Sequence, residues 1–209
     1  MIYVLDDFLD QELFKILKKG ATKFVKKDFN AGDENSKHKR TFWVKPPSKA
    51  FNDLMVNKLS EIEGGQVINI LSFFREARKN QDNEWRIHND LAINGQQPDK
   101  AIVFHIKCPK QKGINGTALW EHKKHGDIYK GKISKLNHIP TLKNIKDEKE
   151  FHRLLKKDAN NRDKWILKSV IGAKPNRLLS YPSEYFHSKY PEEFVGQRVV
   201  FVMFYKIKY

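Results

Sequence analysis

Runs of β-branched and aromatic residues, cut by glycine- and asparagine-centred turns, most narrow what this chain can fold into. Residues 67–74 are rich in strand formers, 100–107 alternate about Ile102, Phe104 and Ile106, and 117–122 carry Leu119 and Trp120. Asn94-Gly95, Gly113 and Asn115-Gly116 punctuate them, and tight hairpin turns favour these residue types because they accept positive φ at little steric cost. The pattern predicts an antiparallel β unit. A charge-dense stretch at 126–164, poor in strand formers, interrupts it before strand-like character returns at 165–171, 177–181 and 199–205. The expected organisation is one domain over 1–209, mainly β with flanking helices. Its core is 67–125 and 165–209, and 126–164 is an insertion and candidate lid.

The flank at 1–66 reads differently. Residues 2–5 suit a short strand, and Asp10 is placed to cap a helix whose apolar side is Leu13, Phe14, Ile16 and Leu17, with Gly20 ending it. Residues 28–40 are polar without an apolar period, which predicts a surface loop; 41–44 read as a strand before Pro46-Pro47. Phe51, Leu54, Met55 and Leu59 are spaced for a helix over 49–63. Inside the insertion, Asp147-x-x-Glu150 predicts a capped helix across Phe151, Leu154 and Leu155.

Composition sets the outer limits. With 14 Phe, 7 Tyr and 4 Trp in 209 residues, the chain has ample apolar surface for one core. The single cysteine, Cys108, has no intramolecular partner and is expected as a buried thiol. Asp6, Asp7 and Asp10 interrupt any leader-like apolar run, and 199–205 is too short to cross a bilayer, so a soluble, cytoplasmic protein without a membrane partner is expected. Forty Lys and Arg against 25 Asp and Glu give a net charge of +15, which keeps nucleic acid open as a partner.

Chemistry enters at His88-Asn89-Asp90. Alternate side chains of an extended segment share a face, so His88 and Asp90 can project into one pocket while Asn89 points away. Two imidazoles and one carboxylate on one face of Fe(II) form the facial triad of non-haem iron enzymes, which leaves other coordination positions open for reactants. His187 supplies a second imidazole after Tyr181-Pro182-Ser183-Glu184-Tyr185-Phe186, and Arg198 follows 11 residues later, ahead of the apolar run. Taken singly, each has an ordinary alternative: hydrogen-bonded histidines at strand ends, an aspartate in a turn, an arginine in a surface ion pair. The ordered set inside compatible strands points to catalysis.

In this order the chain resembles the 2-oxoglutarate- and Fe(II)-dependent oxygenases, nearest their prolyl-hydroxylase-like branch. The resemblance spans residues 85–205 and includes Asn176-Arg177-Leu178-Leu179-Ser180-Tyr181; the opening Tyr3-Val4-Leu5-Asp6-Asp7-Phe8-Leu9 is also similar, though generic. It implies a double-stranded β-helix, the cupin-like jelly roll. It also implies His88, Asp90 and His187 as iron ligands, Arg198 holding the distal carboxylate of 2-oxoglutarate, and O2 as second co-substrate. The implied outcome is hydroxylation of a peptide or protein side chain, or of a small molecule, with release of succinate and CO2.

Two departures are informative. Many relatives carry Ser or Thr two residues after the arginine, where this chain has Val200; Thr117 and Tyr181, on neighbouring strand-like segments, are the candidates to supply that hydroxyl. The nucleic-acid dealkylating branch carries a second arginine six residues after the first, where this chain has Phe204. The remaining histidines are less promising: His122-x-x-His125 lies in a lysine-rich turn without cysteine partners, and His38, His105, His138 and His152 have no companion ligands. Asn176-Arg177 is expected to be structural. The alternative from another class is a basic β-rich module that holds single-stranded nucleic acid on aromatics such as Phe42 and Trp43, without catalysis.

Overall fold

The elements run β1 (Tyr3–Leu5), α1 (Gln11–Thr22), β2 (Asn30–Ala31), β3 (Trp43–Lys45), α2 (Lys49–Glu63), β4 (Gln66–Arg78), β5 (Lys100–Lys107), β6 (Gly116–His122), β7 (Trp165–Gly172), β8 (Arg177–Pro182), β9 (His187–Tyr190) and β10 (Gln197–Lys208). They come from a computed structural model that describes residues 1–22, 30–31, 43–78, 86–90, 93, 96–110, 112–124, 126, 157–191 and 195–209. The expected helix at 151–155, the Asn94-Gly95 turn and all of 127–156 lie outside these residues.

Two antiparallel sheets make a jelly roll. The larger has strand order β1-β8-β5-β10-β4-β3-β2 and the smaller β7-β6-β9. Strand β10 is the axis of the larger sheet, pairing with β4 from Gln197↔Arg78 to Lys208↔Gln66 and with β5 on its other edge. Its side chains alternate without fault. Val199, Phe201, Met203 and Tyr205 enter the core beneath the helices, whereas Val200, Val202 and Phe204 face the space between the sheets with Ala101, Val103, Leu179 and Tyr181. Strict period-2 alternation with apolar residues on both faces is what a strand buried from both sides requires.

The helices cover one face of the large sheet. Asp10 caps α1, its Oδ1 accepting from the Leu13 N–H at 2.8 Å. Gly20 does not end this helix, which continues to Thr22. Gly20 costs about 1 kcal/mol relative to alanine in a helix interior, but Ala21 is buried in the core and anchors the extra turn. In α2, the Ser48 hydroxyl accepts from Phe51 N–H, and Gly64 closes the helix at φ 66°, its N–H bonded to Ser60 O, a left-handed position that suits glycine. Phe51 then packs edge-on against Phe201, ring centroids 5.1 Å apart, and against Phe74 at 5.2 Å.

The strands outrun the sequence signal. β4 extends to Arg78 because β10 pairs with it that far, with β3 adding pairs at Phe74, Arg75 and Glu76. A register shift in β4, opposite Phe204/Tyr205, puts Val67 with the helix-side core and Leu71 and Phe73 with the inter-sheet cluster, the reversal of face that a bulge produces. Within the expected loop at 28–40, Asn30–Ala31 forms a two-residue strand against β3. Asn176 and Arg177 are structural, as expected: Asn176 exchanges side-chain bonds with Leu9 N and O at 3.0 and 2.8 Å, and Arg177 grips Asp6 through Nε and Nη2 at 2.6 and 2.9 Å. Cys108 is half-buried rather than buried, and desolvation pushes its thiol up to about 11. Among the described residues no helix is long and apolar enough to cross a membrane.

Candidate metal centre and inter-sheet cavity

Backbone pairing builds the site before any side chain is considered. His88 and His187 exchange backbone hydrogen bonds, His88 N–H to His187 O at 3.0 Å and His187 N–H to His88 O at 2.8 Å. They form a single antiparallel bridge between the His88 segment and the start of β9. Directly paired residues of this kind set their Cα atoms about 5.5 Å apart with side chains on one face. Asp90, two residues on, is held by its N–H on Ser183 O at 2.8 Å. Strand β9, which carries His187, has no strong propensity signal of its own and was not expected. Its pairing with β6 from Gly116↔Tyr190 to Leu119↔His187 makes it a strand.

The three side chains converge. One ligand atom from each of His88, Asp90 and His187 lies within 4.8 Å of the others. His187 Nε2 is 3.4 Å from Asp90 Oδ2, and His88 Nε2 is 3.9 Å from Asp90 Oδ1. Both imidazoles are oriented the same way: Nδ1 of His88 faces Arg86 O at 3.2 Å and Nδ1 of His187 faces Tyr185 O at 3.0 Å. A carbonyl can only accept, so each Nδ1 carries a proton, and the Nε2 atoms are the ones turned toward Asp90.

Electrostatics reinforce that state. Desolvation, followed by the nearby His187 and Arg86, holds His88 well below the ordinary imidazole range, so it stays neutral. Desolvation also raises Asp90, whose Oδ2 is buried without a hydrogen-bond partner. A buried carboxylate oxygen with no hydrogen-bond partner is costly on its own. A divalent cation among the three groups removes the cost, and the two N and one carboxylate O donors suit Fe(II). The residues present therefore fit the metal that the triad implies.

A cavity of about 160 Å3 adjoins the triad between the sheets. Its apolar wall is Phe73, Val103, Val200, Val202 and Phe204, and Arg198, Thr117 and Tyr181 border it with all three triad residues. The six residues singled out from sequence thus share one cavity. Tyr181 is buried, its ring 4.7 Å from that of His187, and desolvation with the Asp90 charge keeps its phenol protonated. Arg75 is felt by His88, Asp90 and Tyr181, and Arg198 by Tyr181, His105 and Cys108. Tyr181 is within range of both guanidiniums.

Sequence reasoning missed Arg75, Arg86, Ser188 and Lys189, which also line this space. A signal existed for Arg75, two residues from Phe73 on one strand and therefore on its face. His122 is not in a solvated turn: it is buried at the end of β6, its Nε2 3.1 Å from Asp158 Oδ2 and its ring against Trp165, and His125 lies outside the described residues. His105 is fully buried on β5 with neither ring nitrogen hydrogen-bonded, and burial lowers it to about 3. Phe42 and the side chain of Trp43, the aromatic platform of the binding-module alternative, also lie outside the described residues.

The fold is similar to that of several solved proteins, two of them with 2-oxoglutarate bound. AviO1 from Streptomyces viridochromogenes Tue57 superposes with a TM-score of 0.58 at 10% identity, over 98% of this chain and 88% of that one. HygX from Streptomyces hygroscopicus, with nickel and 2-oxoglutarate bound, gives 0.57 at 9% identity over 100% and 83%. The viral collagen prolyl hydroxylase of Paramecium bursaria Chlorella virus-1, in its 2-oxoglutarate complex, gives 0.53 at 12% over 98% and 94%. At these identities the likeness is one of fold. No family model matches the sequence, and no curated protein matches it by sequence.

Proposed function

We propose that the protein is a 2-oxoglutarate- and Fe(II)-dependent dioxygenase that hydroxylates a peptide or protein side chain or a small molecule. The observation that carries this is the convergence of His88, Asp90 and His187 within 4.8 Å, with both Nδ1 atoms engaged by backbone carbonyls. The oxygenase fold, and the 2-oxoglutarate bound in HygX and the viral prolyl hydroxylase, support the same conclusion.

In this proposal His88, Asp90 and His187 hold Fe(II) on one face. When bound, Fe(II) with 2-oxoglutarate and O2 supplies oxidative decarboxylation: one oxygen atom goes to succinate, the other to a substrate C–H bond, and CO2 leaves. The work of the chain is positional. The carbonyls of Arg86 and Tyr185 fix each imidazole's tautomer and plane, the role that outer partners play for metal-bound histidine. Arg198 binds the distal carboxylate of the co-substrate, since its planar fork makes paired charge-assisted bonds and stays cationic when desolvated.

Thr117 and Tyr181 supply the hydroxyl groups that Val200 cannot, and the protonated phenol of Tyr181 is a hydrogen-bond donor. The wall of Val103, Val200, Val202 and Phe204 keeps water from the reacting centre, where it would quench the oxidant. Residues 126–164 are the candidate lid, to be tested by excision and substrate kinetics.

The test is a substrate screen following succinate formation with added Fe(II) and 2-oxoglutarate. Turnover that needs both, and that disappears in His187→Ala and Asp90→Ala, is the expected result. Salt-sensitive oligonucleotide binding with no 2-oxoglutarate use under any condition would instead favour the non-catalytic module.

A further inference from the structure

The segment 86–90, which carries His88 and Asp90, is held from both edges. Alternate backbone groups of an extended chain face opposite sides, and here His88 pairs with His187 while the Asp90 N–H bonds Ser183 O. The Ile87 N–H points the other way and bonds Ala159 O at 2.9 Å. Among the described residues Ala159 is the backbone partner on that outer edge. His88 has the most need of such a clasp, because its side chain is 38% exposed against 8% for His187 and 9% for Asp90, so packing around it fixes it least.

Ala159 is in turn held through its neighbour. Asp158 Oδ2 lies 3.1 Å from Nε2 of the buried His122. The other ring nitrogen settles the tautomer: Nδ1 accepts from the Lys124 N–H at 3.2 Å, so the proton sits on Nε2 and is donated to Asp158. The Asp158 carbonyl accepts from Trp165 Nε1 at 2.8 Å and from the Asn161 N–H at 2.9 Å, which fixes its main chain as well. Trp165 stands edge-on to His122, ring centroids 4.7 Å apart, and to Phe186 at 4.8 Å. Ile87 precedes His88 and Phe186 precedes His187. One block built on His122, Asp158 and Trp165 thus reaches the neighbour of each metal-site histidine.

We propose that the His122–Asp158 pair is a positioning device for the metal centre: it holds Ala159 O on the Ile87 N–H and so sets His88 against His187. The proposal rests on the metal-binding function above, and neither residue touches the metal. If the pair is broken, Ala159 O shifts, the outer edge of segment 86–90 is released, and His88 leaves the geometry in which the three ligand atoms meet within 4.8 Å. Partners directly behind metal ligands commonly change affinity about 10- to 100-fold. This pair lies further out, so about tenfold is expected.

The probe is Co(II), titrated without oxygen into the metal-free full chain and read by visible absorption, which reports the coordination geometry. Hydrogen exchange of the Ile87 amide, followed by NMR, reports the clasp itself. His122→Phe keeps a ring against Trp165 but gives Asp158 no donor, whereas Asp158→Asn keeps an oxygen that accepts from His122. In His122→Phe the Ile87 amide should exchange faster, Co(II) affinity should fall about tenfold and the Co(II) spectrum should change. In Asp158→Asn all three should stay near wild type.

A pair that only supports the fold would lower the Tm of His122→Phe and leave Co(II) affinity and spectrum unchanged, and that result would overturn the proposal. So would weakened Co(II) binding without faster Ile87 exchange, since the effect would not then run through Ala159, or an Asp158→Asn variant as impaired as His122→Phe. Should His122→Phe fail to fold, Asp158→Ala carries the same expectations. A wild-type chain that binds no Co(II) removes the metal-dependent function and this proposal with it. A wild-type chain that binds Co(II) no better than His122→Phe and Asp158→Ala removes this proposal alone.

Discussion

His187 Nε2 and Asp90 Oδ2 face each other at 3.4 Å, while Nδ1 of His187 is turned to Tyr185 O. Asp90 Oδ2 is buried and accepts no hydrogen bond, an arrangement that is costly without a ligand. The arrangement persists because the His88–His187 backbone pair and the Ser183 carbonyl hold the chain there. Strain of this kind is retained where a ligand relieves it.

Metal binding should therefore be visible as stability. A ligand at 100 times its dissociation constant adds about 2.7 kcal/mol, which for a chain of this size raises Tm by about 5–10 °C. Thermal scans with and without Mn(II) check this. Asp90→Asn should abolish the shift yet hold or raise the Tm of the metal-free protein, since it removes a desolvated carboxylate with an unpaired oxygen.

Arg198→Ala should raise the KM for 2-oxoglutarate about 10- to 100-fold, the cost of a lost charged hydrogen bond to a carboxylate, with Mn(II) affinity little changed. Arg198→Lys should recover only part of this, because a point charge cannot reproduce a bidentate fork. Initial rates of succinate formation at varied 2-oxoglutarate give both values.

Lys100 and Glu63 form an ion pair beneath the sheet, 10% and 2% exposed, and Glu63 also accepts from Tyr205 OH at 2.7 Å. Glu63→Ala leaves Lys100 without its carboxylate and should cost about 3–5 kcal/mol by urea denaturation. Glu63→Gln, which keeps an acceptor, should cost less.

Acid should weaken the clasp of the amino-terminal strand to β8. Arg177 and Lys174 lower Asp6 from 3.8 to about 2. A carboxylate depressed on folding stabilises fully above its unfolded value and loses that contribution as pH falls through the folded one. The Tm difference between wild type and Asp6→Asn should be constant above pH 5, shrink between about pH 4 and pH 2, and vanish below.

Gly116 lies where an added Cβ would sit 1.9 Å from Ile171 O, across the β6–β7 pairing. Gly116→Ala should force the two strands apart and lower Tm by several degrees, whereas alanine at Gly20, with nothing within 4 Å, should be neutral or stabilising.

Legibility in the sequence followed the range of the forces involved. The alternation at 100–107 and 199–205 reports burial on two faces, so those strands were readable, and His88 and Asp90 were readable because period 2 puts them on one side. Strand β9 was not, since His187–Tyr190 is a strand only through pairing with β6. The end of α1 was misplaced because burial of Ala21 outweighs the cost of Gly20. Arg75 and Lys189 share the faces of Phe73 and His187 by period 2, but that those faces border one cavity depends on a bulge and on two sheets meeting.

The central claim is most directly tested by anaerobic calorimetric titration of the metal-free protein with Fe(II), then with 2-oxoglutarate. One Fe(II) per chain is predicted, with 2-oxoglutarate binding only after the metal and both events lost in His187→Ala. Absence of Fe(II) binding, or Fe(II) and 2-oxoglutarate binding that survives that substitution, would contradict it.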